Sequence, residues 1–218
     1  MPTALRQALP EISRALANLL QLQSAHPAQD GSVRWLLALN DGQTVETVGL
    51  PRDGVCVSSQ VGYAVGCVFC MTGRDGLIKQ VGSAEMVAQV VFARQHRPVK
   101  KVVFMGMGEP LLNYKNLILG IEKITGKDGL GISPKRITVS TSGISKLIIK
   151  MADENVKFNL AISLHSALEK TRNKIMPFSK KFPLDELKEA VKYWYKKTRK
   201  KICNYSFFWL IKKNFNIL

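Results

Sequence analysis

Cys67 and Cys70 are separated by two residues and are the side chains with the clearest chemical potential in this sequence. A Cys-x3-Cys-x2-Cys loop supplies three thiolates to a [4Fe-4S] cluster and leaves the fourth iron free to chelate a small molecule. Here Tyr63 occupies the position of the first cysteine. A phenolate is a hard ligand and a poor substitute for a thiolate at a soft iron–sulfur corner. Taken alone, the pair also fits half of a zinc site or a redox dithiol.

A second group of candidate residues follows three predicted strands. They are Gly106, Gly108, Glu109 and Pro110 after the first strand, Ser140, Thr141, Ser142 and Gly143 after the second, and Ser163 and His165 after the third. Each residue by itself is explained by a turn glycine, a helix-capping serine or a satisfied core histidine. Because the carboxyl ends of parallel strands meet at one rim, we expect the group and the cysteine loop to form one site.

The elements that position these residues alternate between short apolar strands and helices. Strands are predicted over residues 101–105, 136–140 and 158–164. Helices are predicted over residues 83–95, 114–124, 144–153 and 168–175. Such alternation indicates parallel strands joined by helical crossovers. The predicted fold class is therefore α/β, with a full or partial (β/α) barrel.

The N-terminal part has a different pattern. The first thirty residues are predicted to form one amphipathic helix, since Leu5, Leu9, Ile12 and Leu16 recur near helical spacing. Two apolar runs, residues 33–39 and 44–50, then flank an Asn-Asp-Gly turn and predict a β-hairpin. We interpret residues 1–50 as a small, incomplete helix and hairpin extension and residues 51–218 as the core domain.

The chain is strongly basic, with a net charge of +16 over 218 residues. Residues 101–218 hold +14 of this surplus. A polyanionic partner, nucleic acid first of all, is therefore favoured. The basic segment 196–201 follows an amphipathic helix with Leu184, Leu187, Val191 and Trp194 on one face. It could bind RNA phosphates or be a solvated helix end.

The cysteines and the hydropathy pattern indicate the cellular compartment of the protein. The sequence opens without a charged-then-apolar leader and has no apolar run near the roughly 20 residues needed to cross a bilayer. Four irregularly spaced cysteines are typical of a reducing compartment. We expect a cytoplasmic protein that does not enter a membrane.

The motifs resemble those of one family, the radical S-adenosylmethionine (SAM) methyltransferases that methylate C2 of adenine in 23S ribosomal RNA and in transfer RNA. The matching blocks are VETV at residues 45–48, CVSSQVG at 56–62, GCVFC at 66–70, MGMGEPLLN at 105–113, RITVSTSGI at 136–144 and NLAISLH at 159–165. They occur in the family's order and spacing, over about residues 33–201. The resemblance implies a partial barrel of the radical SAM type.

The resemblance assigns roles to individual residues. It implies Cys67 and Cys70 as cluster ligands, Gly108, Glu109, Ser140, Ser163, Leu164 and His165 as contacts to SAM, and Glu46 and Cys56 as catalytic residues. Glu46 matches the acid that takes the proton from adenine C2. Cys56 matches a thiol that resolves an adduct between protein and RNA.

The resemblance also implies cofactors and partners. Adenine C2 is an electron-poor carbon without a lone pair, so simple displacement on a methyl sulfonium fails. The family therefore uses a [4Fe-4S] cluster and SAM: a methyl group moves to a cysteine near the C-terminus, and an adenosyl radical activates that methyl. The implied partners are ribosomal RNA, tRNA and a reductant protein such as flavodoxin or ferredoxin. The chain is expected to be a monomer.

The sequence departs from the family pattern at Tyr63 and at its end. With two thiolates we expect a weakly held cluster, unless Cys56 or an external thiol fills the corner. We expect a truncated member without the methyl-accepting cysteine, since the agreement ends near Lys201 and nothing around Cys203 matches that motif. Impaired methylation follows from both. The alternatives are a non-catalytic RNA-binding remnant and a radical SAM enzyme with another substrate.

Overall fold

The structure, a computed structural model, describes residues 18–205 and positions 7, 8, 11, 14 and 16. Its strands are β1 (Leu20–Pro27), β2 (Val33–Leu39), β3 (Thr44–Leu50), β4 (Gly54–Cys56), β5 (Gln60–Gly62), β6 (Leu77–Gln80), β7 (Lys101–Phe104), β8 (Ile137–Thr141), β9 (Asn159–Ser163) and β10 (Cys203–Tyr205). Eight of them form one sheet in the order β1-β2-β3-β4-β7-β8-β9-β10. The other two, β5 and β6, pair separately as an antiparallel ribbon.

The part of the sheet from β4 through β7, β8 and β9 to β10 is parallel. Its helices are α1 (Ser83–His96), α2 (Tyr114–Thr125), α3 (Ser145–Asp153), α4 (Glu169–Ile175) and α5 (Leu184–Thr198). β8 is buried along its whole length, as expected for a parallel strand covered on both faces. The predicted α/β class is confirmed, and the parallel strands form an open part of a (β/α) barrel.

The N-terminal prediction was partly wrong. Residues 20–27 form the strand β1, which pairs antiparallel with β2, rather than continuing a helix. Leu20 and Leu22 alternate with glutamines, a period of two that suits a strand, and β2 offers an open edge for pairing. The predicted hairpin of β2 and β3 is confirmed. Its strands continue the same sheet as β4, and a domain boundary near residue 50 stays a prediction.

The described chain ends in β10, which pairs parallel to β9. The basic segment 196–201 lies just before β10, at the amino-terminal edge of the parallel strands. Within it, Lys200 Nζ donates to the carbonyls of Val156 and Phe158, each at 3.0 Å. Lys200 therefore contributes to the connection between α5 and β10. The apolar run 207–211 lies outside the described residues.

Hydrophobic burial between α3 and α5 closes one side of the core. The two helices pack against each other, and the Trp194 side chain of α5 has no exposed surface. Within the described part of the chain, the indole Nε1 of Trp194 has no hydrogen-bond partner. No helix of the described part of the chain has the length and apolar character to cross a bilayer.

Truncation of this buried indole tests the packing. We expect Trp194→Ala to lower the free energy of unfolding by about 3–5 kcal/mol, because it removes the buried apolar surface of the indole and leaves a cavity in the core. Trp194→Phe should cost only about 1–2 kcal/mol, since it keeps most of the volume and removes an unpaired N–H. Urea unfolding followed by circular dichroism measures both, and equal losses would contradict this account of the core.

Candidate functional site

A cavity of about 280 Å³ opens at the carboxyl ends of the parallel strands. Its wall includes Tyr63, Cys67, Phe69 and Cys70 from the cysteine loop, residues 104–110 at the end of β7 and in the turn after it, Ser140, Thr141 and Ser142 at the end of β8, and Ser163 and His165 at the end of β9. All of the metal and cofactor residues that the resemblance implies are therefore brought together, except Leu164. Leu164 packs at the edge of the hydrophobic core instead.

The turn after β7 approaches the segment 58–60 so closely that two of its residues must be glycine. A Cβ on Gly106 would lie 2.6 Å from the Ser58 Oγ, and a Cβ on Gly108 would lie 2.5 Å from the Gln60 Cβ. Gly108 also has φ +101, a conformation that favours glycine. Gln60 Oε1 accepts a hydrogen bond from the Glu109 N–H at 2.7 Å. Gln60 thus fixes the backbone of this turn.

Gly108→Ala should therefore destabilise the protein by about 2–5 kcal/mol, because strain at positive φ adds to a clash with Gln60. The matched control is Gly131→Ala. Gly131 also has a positive φ, +66, but a Cβ there meets nothing within 4 Å. Its cost should be near 1 kcal/mol, about that of strain alone. Thermal unfolding compares the two variants, and equal losses would show that close approach to Gln60 is not the constraint.

Glu109 joins the ends of β7 and β8. Its carboxylate accepts hydrogen bonds from the Leu111 N–H at 3.1 Å and from the Ser142 N–H at 2.6 Å. The side chain is buried, which raises its pKa, while the hydrogen bonds from Ser142 and Leu111 oppose that rise. A carboxylate held this way at a cavity wall has remaining lone pairs for a cationic ligand.

The far wall is polar and uncharged. Ser140 Oγ and Ser163 Oγ lie 3.2 Å apart across β8 and β9. The His165 ring lies 4.8 Å from that of Phe69, centroid to centroid. Burial, with a further contribution from the charge of Arg172, lowers the pKa of His165 to about 4. His165 is therefore neutral near pH 7, and this wall presents hydroxyls, an imidazole and a phenyl ring.

The cysteine loop presents two thiols and a phenol. The Cys70 N–H donates to the Cys67 carbonyl at 3.0 Å, so both sulfurs belong to one tight turn. Burial raises the pKa of Cys67 to about 11 and, together with the nearby Glu109 and Cys67 charges, raises the pKa of Tyr63. Tyr63 is hydrogen-bonded to Cys67 and stays a neutral phenol.

This set of ligands does not fit a cluster held by three thiolates. Among the residues that the structure describes, no group of three His, Cys, Asp or Glu side chains is placed to hold a metal ion. Cys56 does not supply the missing thiolate, because it lies on β4 and is not part of the cavity wall.

Glu46 and Cys56 lie near each other on the adjacent strands β3 and β4, next to the cavity rather than in its wall. Glu46 N–H points at Met107 Sδ, 3.3 Å away, and Met107 lines the cavity. Glu46 Oε1 accepts a hydrogen bond from Arg34 Nη1 at 2.9 Å. Burial and the Glu46 charge raise the pKa of Cys56 to about 12.

Several residues that shape the site were not predicted from the sequence. Besides Gln60, the Asn113 amide donates to the carbonyls of Ser59 at 2.8 Å and Val81 at 2.7 Å. Arg172 of α4 is fully buried behind the cavity wall. The signal for Gln60 was present in the sequence as a polar residue within a short strand. Arg172 carried no such signal, since arginines on helices are mostly exposed.

Comparison with known proteins identifies the family of the chain. The family description "Radical SAM superfamily" matches residues 60–214. A "Probable dual-specificity RNA methyltransferase RlmN" of Flavobacterium psychrophilum is 50% identical over 200 residues, which are 88% of this chain and 58% of that protein. A "Probable RNA methyltransferase" of Methylibium petroleiphilum is 52% identical over 187 residues, 86% of this chain and 53% of that protein.

The fold has a counterpart of known structure. The crystal structure of a radical SAM methyltransferase from Sphaerobacter thermophilus superimposes with a TM-score of 0.85 at 35% identity, over 94% of this chain and 62% of that one. The chain spans a little over half the length of the curated relatives it matches. The cavity at the strand ends, the cysteine loop and these matches agree, and the chain belongs to the radical SAM superfamily.

Proposed function

We propose that this chain is a SAM-dependent RNA methyltransferase that acts on C2 of adenine in 23S ribosomal RNA and in tRNA. The observation that carries the proposal is the convergence of Cys67, Cys70, Glu109, Ser163 and His165 on one cavity from separate parts of the sequence. Similarity to proteins named as RNA methyltransferases supports the RNA substrate. The net charge of +16 agrees with a polyanionic partner.

The residues of the cavity fit SAM. Glu109 offers a buried carboxylate for its ammonium, and the hydroxyls of Ser140 and Ser163 offer hydrogen bonds for the rest of the molecule. The uncharged wall at His165 adds no like charge beside a sulfonium cation. When bound, SAM supplies the transferable methyl group. We assign Leu164 only a backbone role, since its side chain packs at the core.

The catalytic pair acts at the edge of the cavity. We assign Glu46 to remove the proton from adenine C2. Its side chain is 38% exposed, so an adenine of the RNA can reach it. Its hydrogen bond with Arg34 holds the carboxylate in one orientation. We assign Cys56, one strand away, to resolving the adduct between protein and RNA. A target adenine would be splayed out of its stack to lie between this pair and Met107.

A second candidate function rests on Tyr63. Because the loop lacks the third thiolate, this chain should hold a cluster weakly and methylate RNA poorly or not at all. It would then act as an RNA-binding protein without catalysis.

We further propose a cytoplasmic monomer that accepts electrons from a flavodoxin or ferredoxin where a cluster is present. A third candidate is a radical SAM enzyme that acts on another substrate. The identity of the reaction product distinguishes it from the proposed methyltransferase.

The experiment uses the chain with Tyr63→Cys, reconstituted with iron and sulfide under argon. We expect it to cleave SAM reductively when a reductant is supplied, and to form 2-methyladenosine in 23S rRNA or tRNA transcripts only at a low level, because the substitution restores the third thiolate and leaves the departure near Lys201 unchanged. Mass spectrometry of nucleosides measures both products. A methyl group on another position would contradict the proposed substrate. No product, with RNA binding that weakens steeply as salt rises, would favour the RNA-binding remnant.

A further inference from the structure

Arg172 is a buried cation that the fold alone does not explain. The side chain has no exposed surface, and its Nη2 donates to the Ser142 carbonyl at 2.5 Å. Its Nε and Nη1 have no hydrogen-bond partner among the residues that the structure describes. Within residues 18–205, no carboxylate lies at ion-pair distance from it. Glu169, on the same helix, attracts the guanidinium electrostatically without reaching ion-pair distance. A buried guanidinium with such incomplete compensation is unfavourable, and apolar replacements of buried charges are often neutral or stabilising.

The position of Arg172 connects it to the cavity. Its helix α4 packs on the cysteine loop, where the Val68 N–H donates to the Ile175 carbonyl at 3.0 Å and Met176 packs against Cys67. Arg172 lies directly behind Ser142, a residue of the cavity wall. The positive charge therefore stands behind the wall without touching the cavity itself.

The Ser142 backbone links Arg172 to Glu109. Its N–H donates to the Glu109 carboxylate at 2.6 Å, and its carbonyl accepts from Arg172 at 2.5 Å. The buried Glu109 carboxylate and the buried Arg172 guanidinium thus hold the N–H and the carbonyl of one residue, which belong to the two peptide groups on either side of the Ser142 Cα. The two hydrogen bonds together restrict the backbone dihedral angles of Ser142. The next residue, Gly143, has φ +104, and a Cβ there would lie 3.3 Å from Arg172 Nη2.

We propose that Arg172 is a positioning residue of the cofactor site, which holds the Ser142 backbone and, through it, the Glu109 carboxylate in place for the amino-acid part of an adenosyl cofactor. The proposal deepens the proposed function and rests on it, because it needs the cavity to bind such a cofactor. It also explains why a helix that could carry a leucine at this position carries an arginine at a cost to stability.

Two probes separate positioning from general structure. S-adenosylhomocysteine carries the amino-acid part, whereas 5′-methylthioadenosine lacks it and keeps the nucleoside. We expect Arg172→Met to weaken S-adenosylhomocysteine binding by roughly 10- to 100-fold and to change 5′-methylthioadenosine binding by less than about 2-fold. Its melting temperature should stay the same or rise by a few degrees. Isothermal titration calorimetry and thermal unfolding of the 218-residue chain supply the data.

Arg94→Met is the matched control, because Arg94 also donates to a backbone carbonyl, that of Leu130 at 3.0 Å, but is exposed on α1 away from the cavity. It should change neither affinity. If Arg172→Met does not fold, Arg172→Lys should show the same selective loss at about 3- to 10-fold.

The ratio of the two affinity losses decides the proposal. A selective loss of affinity for S-adenosylhomocysteine supports the proposal. Equal losses of both probes, or no loss of either, overturn it and leave Arg172 a structural residue. If the parent chain binds neither probe, the proposed function itself fails, and the two failures are therefore distinguishable.

Discussion

Replacing Tyr63 by cysteine is expected to raise the iron content of the reconstituted protein from well below one to about four atoms per chain. The physical reason is the set of ligands at the cavity wall. Cys67 and Cys70 already lie in one turn there, and Tyr63 is hydrogen-bonded to Cys67. A thiol at position 63 therefore starts next to the other two. Iron and sulfide analysis, with the absorbance of the brown cluster under argon, measures the gain.

The control for this comparison is Tyr63→Phe, which removes the hydroxyl and adds no thiolate. It should hold as little iron as the parent protein. If Tyr63→Cys gains no iron over the parent, the missing thiolate is not the dominant defect of the loop. If Tyr63→Phe gains as much iron as Tyr63→Cys, the phenol hydroxyl, and not the number of thiolate ligands, causes the low iron content of the parent protein. Zinc in freshly purified parent protein would contradict the cluster assignment of the loop altogether.

Replacing Glu109 by glutamine is expected to weaken S-adenosylhomocysteine binding by about 100-fold or more. Two backbone N–H groups, of Leu111 and Ser142, donate to this carboxylate. A glutamine amide offers one oxygen, and its NH2 would face the second N–H. The charge that receives the ligand ammonium is lost as well. Titration calorimetry measures the affinity, and an unchanged affinity would remove Glu109 from the site.

Glu85→Gln is the matched control, because the Glu85 carboxylate also accepts from a backbone N–H, that of Gly82 at 2.6 Å, but lies at the start of α1. Glu85→Gln should disturb only the start of α1 and its ion pair with Lys79 of β6, and it should leave the affinity for S-adenosylhomocysteine unchanged. A comparable loss in both variants would mean that the effect of Glu109→Gln is a general loss of stability.

The same carboxylate predicts a pH dependence. Burial raises the pKa of Glu109, so on acidification it gains a proton at a higher pH than an ordinary glutamate. S-adenosylhomocysteine binding should therefore weaken as pH falls, beginning above the usual range near 4.5. His165 does not contribute, since its pKa of about 4 keeps it neutral there. Calorimetry from about pH 8 to pH 5 tests this, with 5′-methylthioadenosine expected to show no change.

Most of the fold could be predicted from the sequence because its core elements have strong local signals. The predicted strands after α1 and the helices α1 to α4 agree with the structure to within one residue at each end. The apolar runs of the strands reflect burial of both faces of the sheet. The helical periodicity reflects burial of one face of each helix. The error at residues 20–27 has a physical cause. A leucine-rich segment with glutamines suits helix or strand, and pairing with β2 decided it.

The candidate site could be predicted only where its residues lie at strand ends. Topology alone brings Glu109, Ser140, Ser163 and His165 to one rim, so sequence order sufficed for them. Gln60 and Arg172 act through hydrogen bonds across the fold, to Glu109 and to the Ser142 carbonyl. Such pairings depend on side-chain directions that no periodicity encodes. The placement of Glu46 and Cys56 beside the cavity likewise follows from the register of β3 with β4.

The most direct test of the central claim is a crystal structure of the chain with S-adenosylhomocysteine. We predict ligand density in the cavity at the strand ends, with the ammonium at Glu109 and the sulfur side facing Cys67 and Cys70. Density at another surface, or an empty cavity at a ligand concentration of about 1 mM in crystals that leave it open, would contradict the assignment of this cavity as the cofactor site.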